Sequence, residues 1–232
     1  MIEITTKICT KCKKELPATG EYFQRNKDGK FGLRSTCKTC SKDRQSLYLQ
    51  EMKLMVIDYY GGSCAVCGIT NPAFLCIDHM NNDGAEHRKE TGLSGGFLLY
   101  RWLRDNKFPP GFQVLCWNHN HLKQLEVLKR SNLQTTKPVI IRRCIRKRKV
   151  ETINHYGIVC ACCGEDNVDL LTIDHVNGGG KKHRKEIGVR AGYGFYSWLR
   201  NNNFPTGFQV LCFNCNDGRS VNGGICPHEV GK

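Results

Sequence analysis

Residues 53–123 recur as residues 149–219 at a constant offset of 96, without a gap and with about half of the aligned positions identical. An ungapped match of that length is the duplication of a whole structural unit, so both copies must fold alike. Each copy is framed by metal-type residues. The first opens on Cys64 and Cys67 and closes on Cys116 and His119. The second opens on Cys160 and Cys163 and closes on Cys212 and Cys215. Zinc accepts thiolate or imidazole at a given corner, whereas a disulfide does not survive a Cys-to-His exchange. Four protein ligands make a closed site, so both frames are expected to be structural and not catalytic.

A third frame precedes the repeat. Cys9 and Cys12 are separated by about two dozen residues from Cys37 and Cys40, which fits a tetrahedral four-cysteine zinc site. A segment this small cannot bury enough apolar surface to fold alone, so the metal is expected to supply the folding energy. Cys76, Cys144, Cys162 and Cys226 remain and are read as non-ligands. Paired spacing and the lack of an export signal favour zinc in a reducing compartment over disulfides. The expected location is therefore the cytoplasm.

The chain carries a net charge of +14 and no apolar run long enough to span a bilayer. A polyanion, nucleic acid before membrane, is the partner such a balance favours. Arg34 lies among the basic residues between the first two cysteine pairs, where phosphate contact and a merely solvated face are equally open readings. Arg142, Arg143, Arg146 and Lys147 form a denser run ahead of the second copy, and there phosphate contact is preferred.

Inside each zinc frame the pattern predicts strand, long excursion, strand, helix. Leu75–His79 and Leu171–His175 alternate as short strands and end on Asp-His. Phe112–Leu115 and Phe208–Leu211 form the second strands, each introduced by a Phe-Pro-x-Gly turn. A helix is expected to begin near Asn118 and Asn214, with these asparagines as caps. An aspartate can hold a hard divalent cation through oxygen, and a neutral histidine can take a proton from water near pH 7.

The fuller pattern reads Ile-Asp-His-x-Asn (173–177), His-Arg-Lys-Glu (183–186), Trp-Leu-Arg-x-Asn-x-Phe-Pro (198–205) and Gly-Phe-Gln-Val-Leu-Cys-x-Asn-Cys-Asn (207–216). It resembles the HNH endonucleases of the ββα-metal fold, and most closely those encoded by phages. The resemblance covers both copies, and the N-terminal frame resembles the small zinc modules that often precede such nucleases. It implies that His79 and His175 are general bases and that Asp78 and Asp174 are Mg2+ ligands, with Mn2+ an alternative metal. Asn120 and Asn216 would be the second ligands. The family's middle asparagine falls on Gly111 and Gly207, so Asn81, Asn118, Asn177 and Asn214 are candidates for orienting the histidines. The products implied are 5′-phosphate and 3′-hydroxyl ends.

Arg88, Lys89, Arg184 and Lys185 are expected DNA-backbone contacts, and Arg104 and Arg200 candidate phosphate clamps. His87 and His183 are candidate phosphate or metal contacts, with local packing on a helix surface preferred. Trp102 and Trp198 are expected to fill the core of the excursion.

The expected class is α+β: a four-cysteine module (1–45), a first HNH unit (46–123), a basic connector (124–148) and a second HNH unit with a tail (149–232). Three structural zinc ions and one Mg2+ per active site would serve a monomer acting as a pseudo-dimer on double-stranded DNA. Site-specific double-strand breaks are the expected activity. The alternatives are a nicking or junction-resolving nuclease with one dominant site, and a zinc-dependent DNA-binding protein without hydrolysis.

Overall fold

The computed structural model describes residues 5–93, 95–131 and 136–229. Residues 1–4 of the N-terminal module, 94 of the first excursion, 132–135 of the connector and 230–232 of the tail lie outside the described residues. The chain is α+β, with small two-stranded antiparallel sheets and eight α-helices among the described residues. It divides into two compact units, residues 1–56 with 94–108 and residues 57–93 with 109–232.

The first unit begins with β1 (Thr6–Ile8) paired to β2 (Glu15–Pro17), then β3 (Phe23–Arg25) paired to β4 (Leu33–Cys37). Helix α1 (Lys38–Tyr59) starts directly on β4. Phe23 and Leu33 are buried with Cys9, Cys37 and Cys40, a core of only a few side chains. Phe31 is exposed.

In the second unit, β5 (Leu75–His79) is followed by α2 (Gly84–Thr91). Next in the chain comes α3 (Phe97–Asp105), which belongs to the first unit. Strand β6 (Phe112–Cys116) returns antiparallel to β5, pairing Leu75 with Cys116 and His79 with Phe112. Helix α4 (Trp117–Ser131) then takes up the first part of the expected connector, and α5 (Thr136–Tyr156) its described remainder from residue 136.

The second copy repeats the order. Strand β7 (Leu171–His175), α6 (Gly180–Glu186), α7 (Tyr193–Asn201), β8 (Phe208–Cys212) and α8 (Phe213–Val221) follow in turn. The register of β7 on β8 matches that of β5 on β6 residue for residue. The Asn-x-Phe-Pro motif ends α3 and α7. Lys107, Phe108, Asn203 and Phe204 all have positive φ, and the Phe108 and Phe204 N–H groups reach back to the Leu103 and Leu199 carbonyls. Such a six-to-one return satisfies carbonyls that a helix end would leave open.

The two copies meet inside the second unit. Phe74, from the first copy, is buried in one core with Ile153, Leu171, Phe195, Leu199 and Val210 of the second. Gly218 makes room for it, since a Cβ there would fall 2.6 Å from the Phe74 ring. Asn118 and Asn214 do not act as caps of their own helices, which begin one residue earlier. The Asn118 N–H donates to Asn214 Oδ1 at 2.9 Å, and the Asn214 N–H donates to Asn118 Oδ1 at 2.8 Å. Each side chain thus satisfies an orphan N–H in the first turn of the other copy's helix.

Candidate metal centres and a paired histidine site

All fifteen cysteines are free thiols. Three of the groups they form are the frames expected from spacing: Cys9, Cys12, Cys37 and Cys40; Cys64, Cys67, Cys116 and His119; and Cys160, Cys163, Cys212 and Cys215. Ligand atoms within each group lie within 4.8 Å of one another. Sulfur pairs in these groups stand at 4.0 Å (Cys12–Cys37), 3.9 Å (Cys67–Cys116) and 3.7 Å (Cys163–Cys212). Zn–S bonds of about 2.3 Å in a tetrahedron imply S–S edges of about 3.8 Å, whereas a disulfide needs about 2.0 Å. The donor sets therefore suit a metal such as zinc. Knuckle backbone supports them: the Cys37 and His119 N–H groups donate to Cys9 and Cys116 sulfur.

Each frame holds the end of the strand that pairs with the Asp-His strand: Cys116 closes β6 opposite Leu75, and Cys212 closes β8 opposite Leu171. Along β7, Leu171, Ile173 and His175 are buried while Thr172 and Asp174 are half-buried, the alternation a strand imposes. Asp174 turns toward α8, where Arg219 Nη1 meets its Oδ2 at 3.0 Å and Gln209 Nε2 donates to it at 3.2 Å. Asp78 has the same partners by position, Lys123 Nζ at 2.5 Å and Gln113 Nε2 at 2.9 Å. Lys123 and Arg219 each also bond carbonyls at or just beyond the strand end, His79 and Met80 in one copy and Val176 in the other.

The histidines face the other way and are not oriented by asparagine. His79 Nε2 is 2.9 Å from His87 Nδ1, and His175 Nε2 is 2.8 Å from His183 Nδ1. Phe112 packs on the first pair; Phe195, Phe208 and Trp198 surround the second. His87 and His183 are thus not free helix-surface residues but partners of the strand histidines. Their recurrence eight residues after each Asp-His was the signal for this. Burial first, and then the facing histidine, hold the His79 and His175 imidazoles below the ordinary histidine value. Both influences favour the neutral imidazole. The remaining nitrogen, Nδ1, faces a glycine in each copy: a Cβ at Gly84 would fall 2.9 Å from His79 Nδ1, and one at Gly180 2.7 Å from His175 Nδ1.

In the second copy these groups border one cleft of about 850 Å3. It brings together Asp174, His175, Asn177, Arg184, Asn216 and Arg219. Asn120, the counterpart of Asn216, is engaged otherwise: its Nδ2 donates to Cys76 sulfur and its Oδ1 accepts from Gln124. Asn81 is exposed beyond β5.

Most of the expected basic contacts are exposed. Arg34, Arg88, Lys89, Arg143, Lys147 and Lys185 are exposed, and Arg142 is half-buried. Arg146 lies 3.4 Å from Asp169. The two candidate clamps are held by protein groups: Arg200 by Glu151 at 2.9 Å, and Arg104 by Asp105 at 2.7 Å and the Tyr48 hydroxyl at 3.3 Å. Trp198 packs against the core of the second copy, as expected. Among the described residues no helix is long and apolar enough to cross a membrane.

Comparison of the chain with protein-family models, curated proteins and solved structures gives no match.

Proposed function

We propose that the protein is a Mg2+-dependent DNA endonuclease of HNH type, with two sites in one chain. The observation that carries this reading is the duplicated constellation at the strand ends. In both copies a strand histidine is clamped by a second histidine, beside a carboxylate held by a helix cation. A purely structural unit has little use for such a group twice. The charge of +14 supplies the attraction to a phosphate backbone.

The donor set in the second copy fits a hard cation. Asp174 and Asn216 offer oxygen from one cleft, and two protein ligands leave positions for water and a phosphate oxygen. Bound there, Mg2+ would neutralise charge building on the phosphate during hydrolysis. The chain's own groups do the rest. With Nε2 held by His183, His175 Nδ1 is the nitrogen placed to take a proton from water. Arg219 keeps the Asp174 carboxylate aimed at the cleft, and Arg184 offers a charge to the DNA backbone there. In the first copy Asp78, His79 and Lys123 repeat the arrangement, but Asn120 must leave Cys76 and Gln124 to serve as a ligand. The second site is accordingly the dominant one.

One observation favours a different reading. Both aspartates already carry a protein cation, so a scaffold that binds DNA without cutting it would be electrostatically complete. Incubating supercoiled plasmid with the zinc-loaded protein, in Mg2+ and in EDTA, separates the two. Cleavage in Mg2+ alone supports the nuclease. A retarded but intact plasmid in both conditions supports the binding protein.

A further inference from the structure

The second copy contains one metal-type group more than the repeat accounts for. Cys162 and Cys226, read from the sequence as non-ligands, instead converge with His228 of the tail on Cys215, a residue that already belongs to the second copy's frame. His228 Nδ1 lies 3.4 Å from Cys215 sulfur, 3.7 Å from Cys226 sulfur and 3.9 Å from Cys162 sulfur. All four ligand atoms fall within 4.8 Å of one another. Edges of about 3.5–3.8 Å are what a tetrahedral zinc site with sulfur and nitrogen ligands requires.

We infer that the second copy holds a binuclear zinc centre in which the Cys215 thiolate bridges two metal ions. The count of donors is the main argument. Two tetrahedra that share one corner need seven ligand atoms. Cys160, Cys163, Cys212 and Cys215 supply four, and Cys162, Cys226 and His228 supply the other three. A thiolate has lone pairs enough for two metal ions, so no donor is missing and none is left over.

Burial and support point the same way. Cys215 and Cys226 are buried, at 0 % and 1 % exposure, so neither thiol is available for chemistry with solvent. The His228 ring packs on Phe74 with ring centroids 4.6 Å apart, which fixes the direction of Nδ1. A short 3-10 turn, Pro227–Glu229, presents the histidine, and the Cys226 N–H donates to Glu229 Oε2 within it. Among the described residues the first copy shows no such group: Val66, 66 % exposed, stands where the second copy has Cys162. The second metal therefore belongs to the divergence of the copies. It ties the tail after α8 to the Cys160–Cys163 knuckle, and through Phe74 to the first copy.

The test is metal stoichiometry and connectivity on the full chain. Native mass spectrometry of the wild type should show four zinc ions, and Cys162→Val, which restores the residue of the first copy, should show three. His228→Ala should also lose one. In protein loaded with cadmium-113, the Cys215 β-protons should correlate with two cadmium resonances in the wild type and one in Cys162→Val. Three zinc ions in the wild type, or four retained in Cys162→Val, would overturn the inference. So would a single cadmium correlation at Cys215, or a Cys162–Cys226 disulfide in protein purified under reducing conditions.

Discussion

Asn118 and Asn214 exchange hydrogen bonds across the duplication, each side-chain oxygen accepting the other's backbone N–H. Both residues are buried, at 7 % and 6 % exposure. The contact is self-reciprocal, the pattern of a two-fold interface between identical subunits, here built into one chain.

Replacing either asparagine by alanine removes one acceptor and strands one buried N–H. Each single substitution should lower unfolding free energy by about 1–3 kcal/mol, read from chemical denaturation of the zinc-loaded protein. The double variant should lose less than the sum, because the exchanged bonds hold one interface. Strict additivity would mean that the two bonds act independently.

Gly84 and Gly180 have ordinary helical-side backbone, so alanine is tolerated by conformation and opposed mainly by the histidine ring, with Arg184 Nη1 also close at Gly180. Gly84→Ala and Gly180→Ala should leave the fold intact and lower cleavage at the corresponding site by about 10–100-fold, the usual effect of displacing a reacting group by an ångström. Single-site cleavage rates with circular dichroism controls check this. Full activity in both variants would show that the Nδ1 side of the ring is not used.

His87 and His183 are positioning residues in this account. His183→Ala should cut the rate at the second site by about tenfold or more, with DNA affinity unchanged, and added imidazole should restore part of the loss. A variant whose affinity falls in parallel with its rate would assign His183 to DNA binding.

Lys149 gives a pH signature independent of function. Burial first pushes its ammonium down to about 8, Asp169 opposing the shift and Arg146 adding to it. Between pH 8 and 10.5 the unfolded chain holds this proton and the folded chain does not, so stability rises with pH across that window. Below pH 8 both states are charged, and the buried charge costs up to about 3 kcal/mol, at about 1.4 kcal/mol per pH unit. Lys149→Met should therefore raise the denaturation midpoint at pH 7 and flatten the rise above pH 8. An unchanged pH profile in the variant would contradict this.

Much of this was legible in the residues. The repeat offset, the three metal frames and the strands ending at His79 and His175 all follow from spacing and alternation. Other features need tertiary contact. Asn118 and Asn214 look like ordinary caps until the copies are packed together, when each serves the opposite helix. His87 and His183 look like helix-surface residues because the loop between Asp-His and the helix hides the return of the chain. Arg104 and Arg200 look like free clamps because Tyr48 and Glu151, which hold them, lie far away in the chain. Cys162 and Cys226 read as non-ligands because neither has a matched partner in the repeat, and His228 lies in the tail beyond it. Only the folded tail brings them to Cys215.

The central claim is that two histidine sites in one chain each cut one strand. Supercoiled plasmid in Mg2+ should be linearised by the wild type and nicked by His79→Ala and by His175→Ala. The double variant should leave it supercoiled while still retarding it on a gel. A double variant that cuts as fast as the wild type, or a wild type that binds without cutting, would contradict the account.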